Sequence, residues 1–268
     1  MSGRVDLYSS YREFGDPALA AVRADAFGTD IGQNSWVTTD EYDHFSAWLG
    51  IASGHHVLEV ASGSGGPALH LARLTGCRVT GIDRNPLGVE HATRAAAAAG
   101  AAERVRFTSA DATARLPFDD GAFDALVCVD SMNHLPDRPA ALAEWRRVLR
   151  PGGRALFTDP VVITGPVTNE ELALRSSIGT FLFVPREVTV HFINAAGFTI
   201  VREEDRTANA ALVSGRWRDS RQRHRAALVA IEGEERFAGL QRFFDAVHVL
   251  SRDRRLSRIA WVAETPAR

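Results

Sequence analysis

Short apolar runs and longer amphipathic stretches alternate along most of this chain. The runs at 57–61, 77–83, 105–109, 125–129 and 155–158 are too short for helices and predict buried strands. Between them, 68–74, 86–100 and 140–149 read as helices; Asn85 before Pro86 supplies a cap, and Gly100 a stop. Upstream, 17–27 predicts a short helix and 40–49 an amphipathic one with Phe45, Trp48 and Leu49 on its apolar face. Downstream, 185–196 is helical and Gly197-Phe198 opens a sixth strand. Helices at 209–232 and 234–251 then precede a last strand at 256–264. Strand–helix alternation of this kind predicts an α/β fold with a mainly parallel sheet. Two segments escape any clean period. Residues 1–28 are polar with Tyr8, Tyr11, Phe14 and Phe27 as anchors, and 160–184 is regular only around an amphipathic piece at 170–183.

The turn after the first strand, Gly63-Ser64-Gly65-Gly66 before Pro67, is where chemistry enters. Strand, glycine turn and helix together present free N–H groups and a positive helix end to a nucleotide. Gly63-x-Gly65-x-x-Ala68 also satisfies the dinucleotide pattern, with Asp83 at about the right distance. Glu59 argues otherwise. It interrupts an apolar strand, and a carboxylate there suits a cationic ligand such as a sulfonium or ammonium. Asp83, at the end of the second strand, can accept both hydroxyls of a ribose, a better use than capping because Asn85 already caps. Asp111 after the third strand reads equally well as a cap. Asp130, Ser131, Asn133 and His134 gather at the carboxyl end of a central strand, where polar groups are costly to bury without partners.

Composition narrows the partners. With 268 residues, 45% hydrophobic and a net charge of −2, the chain shows no basic surface for nucleic acid. All 31 basic residues are arginine, which excludes a lysine base or Schiff base and suggests GC-rich bacterial coding. Cys77 and Cys128 fall in predicted strands as small apolar fillers, with neither metal nor disulfide spacing. No run reaches membrane-helix length and no signal segment opens the chain, so the cytoplasm is the expected location. The arginines at 216, 218, 221, 223 and 225 fall mostly away from the helix face carrying Val213, Trp217, His224 and Leu228. They therefore read as a solvated face, with Trp217 and His224 as candidate pocket wall.

Taken in order, these motifs resemble the class I S-adenosylmethionine-dependent methyltransferases over roughly residues 55–160. The resemblance is carried by Glu59 with Gly63-x-Gly65, by Asp83 and Asp111, and by Leu116-Pro117-Phe118 leading to Phe123-Asp124. Leu149-Arg150-Pro151-Gly152-Gly153 before an apolar strand completes it. It is closest to small-molecule enzymes such as those acting on sarcosine, tocopherols or sugar hydroxyls. It implies a Rossmann-like, seven-stranded, mostly parallel sheet with helices on both faces. It further implies a lid over residues 1–50 and a methyltransferase domain over 51–268, with helical cap insertions at 160–184 and 208–252. S-adenosylmethionine would be held by Gln33, Ser35, Trp36, Glu59, Ala61, Gly63, Gly65, Asp83, Arg84, Asp111, Ala112, Asp130 and Ser131. His134, Asn133 and His44 are the catalytic candidates, with His191, Glu41 and Tyr42 as further pocket groups. No metal is expected. Gly65→Val or Asp83→Ala should abolish cofactor binding with the fold largely intact.

The expected acceptor is a small molecule of natural-product type methylated on oxygen, nitrogen or carbon, with a homodimer possible. The Asn/Asp-Pro-Pro-Tyr motif of nucleic-acid amino methyltransferases is replaced by Asp130-Ser131-Met132-Asn133, which argues against a DNA or RNA base. A nicotinamide oxidoreductase and a fold-retaining binding protein without catalysis are the alternatives.

Overall fold

Seven strands among the described residues make one sheet in the order β3-β2-β1-β4-β5-β7-β6. They are β1 (His56–Val60), β2 (Arg78–Asp83), β3 (Val105–Ser109), β4 (Phe123–Cys128), β5 (Leu149–Ile163), β6 (Thr199–Asp205) and β7 (Leu256–Glu264). A computed structural model describes residues 11 and 13–267 of the chain, so the anchor expected at Tyr8 lies outside the described residues. β1 to β5 run parallel, while β7 inserts antiparallel between β5 and β6. The fifth strand is much longer than its apolar run suggested. It continues through Pro160, which has no N–H to give, and the pairing with β7 breaks register between Asp159 and Val162.

Among the described residues ten α-helices connect and cover the strands: α1 (Pro17–Phe27), α2 (Thr39–Leu49), α3 (Gly66–Thr75), α4 (Pro86–Ala98), α5 (Arg138–Val148), α6 (Asn169–Arg175), α7 (Arg186–Ala195), α8 (Thr207–Arg223), α9 (Arg225–Glu232) and α10 (Glu234–Arg252). The Asn85 side chain accepts the Leu87 N–H, the cap expected of it. Two helices depart from the sequence pattern. The amphipathic piece at 170–183 is helical only to Arg175, after which Ser176 bonds back to Leu172 and the chain opens into a loop. The long helix at 209–232 breaks at His224 into α8 and α9. The break turns Leu228 inward onto Val22 and Phe237.

Adjacent residues of the central strands feed opposite faces, as the period of two requires. Leu58, Leu126 and Phe157 pack with Trp145 and Ile193 on one side; Val57, Val127 and Leu156 pack with Phe45 and Leu71 on the other. A separate cluster of Phe27, Trp36, Val213, Phe243 and Val247 belongs to the cap built by α1, α8 and α10. Both cysteines are free and buried. No helix among the described residues is long and apolar enough to cross a membrane.

The chain leaves β1 outward through β2 and β3, then returns to β4 on the other side of β1. Ligands of open α/β sheets bind in the crevice this reversal creates. The glycine turn at the crevice is packed more tightly than a turn needs for ligand approach alone. Gly65 has φ +81°, and a Cβ there would lie 2.6 Å from Ala92 Cβ and 2.6 Å from Phe107 Cζ. At Gly66 the carbonyl of Ile31 fills the place a Cβ would take. Gly65→Val is therefore a folding variant rather than a clean binding variant. It is expected to lower stability by about 1–3 kcal/mol or more from overpacking plus left-handed strain, read as an earlier midpoint in denaturant unfolding.

Candidate active site at the carboxyl ends of the strands

Four strand ends make a first cavity. Beyond β1, the Ser62 N–H still bonds Ile82 at 3.0 Å, after which Ala61 (φ +57°) and Gly63 (φ +53°) have turned the chain away from the sheet. Beyond β2, Asp83 holds that turn. One carboxylate oxygen accepts the Gly63 N–H at 2.8 Å and the other accepts the Asn85 N–H at 2.8 Å. Burial raises its pKa against the pull of those two N–H groups. A carboxylate offers about four acceptor positions, so each oxygen keeps one for the cavity. Asp83→Ala would leave two backbone donors unpaired, so it too disturbs the turn that it was expected to leave intact. Asp111, beyond β3, accepts the Thr113 N–H and hydroxyl, which hold its pKa low. Arg84, Ala112 and Ser131 complete this part of the wall.

Glu59 lies in the floor of the same cavity and is 5% exposed. One oxygen accepts the Tyr42 hydroxyl at 3.2 Å; the other has no partner among the described residues. Burial pushes its pKa to about 8, outweighing the Tyr42 hydrogen bond and the Ala68 N–H of the first turn of α3. A half-satisfied carboxyl that a nearby cation would ionise is the arrangement the sequence suggested.

The segment at 30–37 crosses the cavity as a strap. Ser64 Oγ donates to the Gly32 carbonyl, and Asn34 and Ser35 face the cavity. Gln33 does not. Its side chain is fully buried and spent inside the strap, accepting the Ile31 N–H at 2.8 Å and donating to Thr29 O at 3.2 Å. Trp36 also points elsewhere. Its N–H donates to Asp130 at 2.8 Å, and its ring enters the cap cluster beside Phe243 and Phe244. Gly65, packed under α4, is likewise absent from the wall.

Asp130 (φ +53°) lies beyond β4, where its carboxylate is already engaged. It accepts Arg258 Nε at 2.7 Å and the Thr158 hydroxyl at 2.7 Å on one oxygen, and the Trp36 N–H on the other. Arg258, at 0% side-chain exposure, reaches Glu41 with its Nη1 at 2.6 Å. Glu41 in turn accepts Arg206 at 2.7 Å and Asn209 at 2.7 Å. Glu41 is thus structural, as is Tyr42. His44 and His191 are exposed and face neither cavity. His224 lies near Asp25 at the break between α8 and α9, 3.7 Å away.

A second cavity adjoins the first under the cap, and Asn34, Ser35, Asp130 and His134 line both. Its wall is largely aromatic: Trp36, Phe181, Trp217, Phe243 and Phe244, with Trp217 stacked on Phe244 at 5.1 Å and an interplanar angle of 1°. Trp217 is the pocket wall expected of it. Arg221, expected on a solvated face, is instead 1% exposed and bound to Glu232 through two hydrogen bonds of 2.9 and 2.7 Å. His134 packs on Phe181 with centroids 4.5 Å apart, and its Nδ1 bonds the Thr180 carbonyl at 2.8 Å. A carbonyl only accepts, so Nδ1 carries the proton and Nε2 keeps its lone pair. Burial lowers the His134 pKa to about 4, with Arg175 adding to the effect. Asn133 is fully buried against this second cavity. Arg175 was missed by sequence reasoning; the acid one helical turn before it, Glu171, is committed to Arg255 at 2.6 Å.

Residues 57–153 match the model of a family described as a methyltransferase domain. These residues form a methyltransferase domain of the class I S-adenosylmethionine-dependent type. It is 43% identical over 114 residues to methyltransferase GfsG of Streptomyces halstedii, covering 42% of this chain and 41% of that protein. It is 36% identical over 138 residues to a 27-O-demethylrifamycin SV methyltransferase of Amycolatopsis mediterranei, covering 52% and 50%. The chain thus spans about half the length of these curated relatives or less. Among solved structures, the [4+2]-cyclase SpnF superposes with a TM-score of 0.72 at 22% identity, over 98% of this chain and 97% of that one, which shows the shared fold. With the family match, the antiparallel β7 between β5 and β6 removes the nicotinamide alternative, whose sheet runs 3-2-1-4-5-6. The first cavity fits the family's cofactor, S-adenosylmethionine: Asp83 has acceptor positions for a ribose, and Glu59 has an unsatisfied oxygen for a cation. Among the described residues no His, Cys, Asp and Glu cluster could hold a metal.

The raised pKa of Glu59 has a sign that can be measured. Between about 4.5 and 8 the folded protein holds a proton that the unfolded chain has released, so this contribution to stability is lost as pH rises through that window. Glu59→Gln is expected to remove that slope, on the order of a few kcal/mol, in ligand-free unfolding measured at pH 5 and pH 8. His134, lowered rather than raised, contributes in the opposite sense between about 4 and 6.5 and is common to both proteins.

Proposed function

We propose that this chain methylates an apolar small molecule of natural-product type, held in the second cavity while S-adenosylmethionine occupies the first. The shared wall carries this reading: ligands in the two cavities would meet across Asn34, Ser35, Asp130 and His134. The cofactor supplies a methyl group already activated by positive sulfur. The chain then has to align the acceptor and keep water out, which is where most of the rate comes from. The strap and the aromatic cap do the second task. For the first, His134 stays neutral at physiological pH with Nε2 as a hydrogen-bond acceptor, suited to orienting a hydroxyl. With its pKa near 4 it is a weak base, so an acceptor with an acidic O–H fits it better than an alcohol.

An amine acceptor fits poorly. The carboxylates around the second cavity are already bound to arginines: Glu232 to Arg221, Asp130 to Arg258 and Glu13 to Arg236. Among the described residues no spare anion faces an ammonium there. The relative named for 27-O-demethylrifamycin SV supports a bulky natural product and an oxygen acceptor.

The test pairs binding with transfer. Calorimetric titration should show S-adenosylhomocysteine binding and no NADH binding. Labelled methyl should pass from S-adenosylmethionine to members of a panel of apolar hydroxylated compounds and not to amines. Trp217→Ala should raise KM for an apolar acceptor about tenfold while leaving S-adenosylhomocysteine affinity unchanged. Label appearing only on amines overturns the acceptor class, and tight cofactor binding without transfer to any acceptor favours a ligand-binding protein.

A further inference from the structure

We propose that Arg175 and Asn133 form a carboxylate-receiving end of the second cavity, so that its occupant is a carboxylic acid with an apolar body. This rests on the acceptor-cavity reading above and makes it more specific. Arg175 ends α6 and is 1% exposed, yet neither terminal nitrogen, Nη1 or Nη2, has a hydrogen-bond partner among the described residues. Its guanidinium lies over the rings of Phe181, Phe243 and Trp36, with centroid distances of 4.6, 5.3 and 6.0 Å. Such ring contacts offset only part of the cost of a buried cation.

The neighbouring arginines are different. Arg23 has Asp30 at 2.9 Å, Arg221 has Glu232 at 2.7 Å and Arg236 has Glu13 at 3.5 Å. Asp130 and Asp159, whose fields reach Arg175, are ion-paired elsewhere, to Arg258 at 2.7 Å and Arg138 at 3.0 Å. Burial draws the Arg175 pKa down to about 9, which still leaves a cation at pH 7. Asn133 faces the same cavity at 0% exposure, with neither its amide nitrogen nor its oxygen partnered among the described residues. Leaving a buried amide and a buried guanidinium both unmatched is a double penalty unless a ligand completes them. Two free terminal nitrogens on a planar fork match the two oxygens of a carboxylate, and the Asn133 amide can add a third donor. The aromatic walls then take the rest of the molecule.

The experiment compares naphthalene-2-carboxylate with naphthalene-2-carboxamide, which share shape and differ in charge. Both are titrated into the full chain at pH 7, followed by calorimetry and by the fluorescence of Trp36 and Trp217. The carboxylate should bind roughly 10- to 100-fold more tightly than the amide. Arg175→Met should erase that preference, and Arg175→Lys should retain part of it. Equal affinity for acid and amide in the wild-type protein, including no measurable binding of either, overturns the proposal. So does a preference that survives Arg175→Met in a variant that still binds S-adenosylhomocysteine. Should Arg175→Met fail to fold, the wild-type comparison decides alone. Loss of S-adenosylhomocysteine binding by the wild type with the acid preference intact would sink the methyltransferase reading and leave the carboxylate site standing.

Discussion

The buried ion pairs of Arg258 tie three parts of the chain to one point. From the middle of β7, Arg258 reaches Asp130 at the end of β4 and Glu41 on α2. Asp130 then fixes the strap through Trp36 N–H and β5 through Thr158, while Asn209 ties Glu41 and the Trp36 carbonyl to α8. Burial works against the charge on Arg258, and the two carboxylates outweigh it. A pair this deep adds little net stability compared with an apolar core of equal volume. Removing one member, however, strands the others at a cost of about 3–5 kcal/mol. Its value lies in specifying geometry: sheet, strap and cap are held in one relation at the place where the two cavities touch.

Strain collects at the same place. Two of the three non-glycine residues with positive φ among the described residues, Ala61 and Asp130, follow adjacent strands and line the first cavity. Each such conformation costs of order 1–3 kcal/mol and persists only where its surroundings overdetermine it. For Asp130 those surroundings are the ion network. For Ala61 they are the Ser62–Ile82 hydrogen bond and the Asp83 clamp on Gly63. The electrostatics then divide. One cavity offers the carboxyl groups of Glu59 and Asp83, and the other offers arginines set among aromatic rings. The two sides of one wall thus differ in the sign of the groups they present.

Most of the sheet was legible in the sequence because each short apolar run is fenced by glycine, proline or acid, and Asn85 and Pro86 mark their helix start without ambiguity. Glu59 and Asp83 were legible for a related reason: a charge at the end or in the middle of an apolar strand needs a justification. Arg258 carries the same signal, lying between Leu256 and Ile259 in the last strand, and could have been found by it. Arg175, Arg221 and Glu41 could not. Helical spacing places an arginine on a wheel but cannot supply partners that come from elsewhere in the chain. Glu41 meets Arg206 and Arg258 across 165 and 217 residues. Gln33 and Trp36 were assigned to the right segment and the wrong contacts, since a strap without period hides which side chains point inward. Gly65 shows the converse, a glycine demanded by helix and strand packing inside a motif whose other members face a ligand.

The walls of the two cavities come from different parts of the chain. Strand ends between 57 and 131 build most of the first, while α6, α8 and α10 with their flanking loops supply about half of the second, and α1 with the residues before it and the strap supply much of the rest. The matched domain, 57–153, stops before those helices begin. Substitutions under the cap therefore reshape the second cavity while leaving the strand ends of the first in place. Asn34, Ser35, Asp130 and His134 are the exceptions, because any change there is felt on both sides. A scaffold divided in this way joins two differently built cavities through only four shared positions.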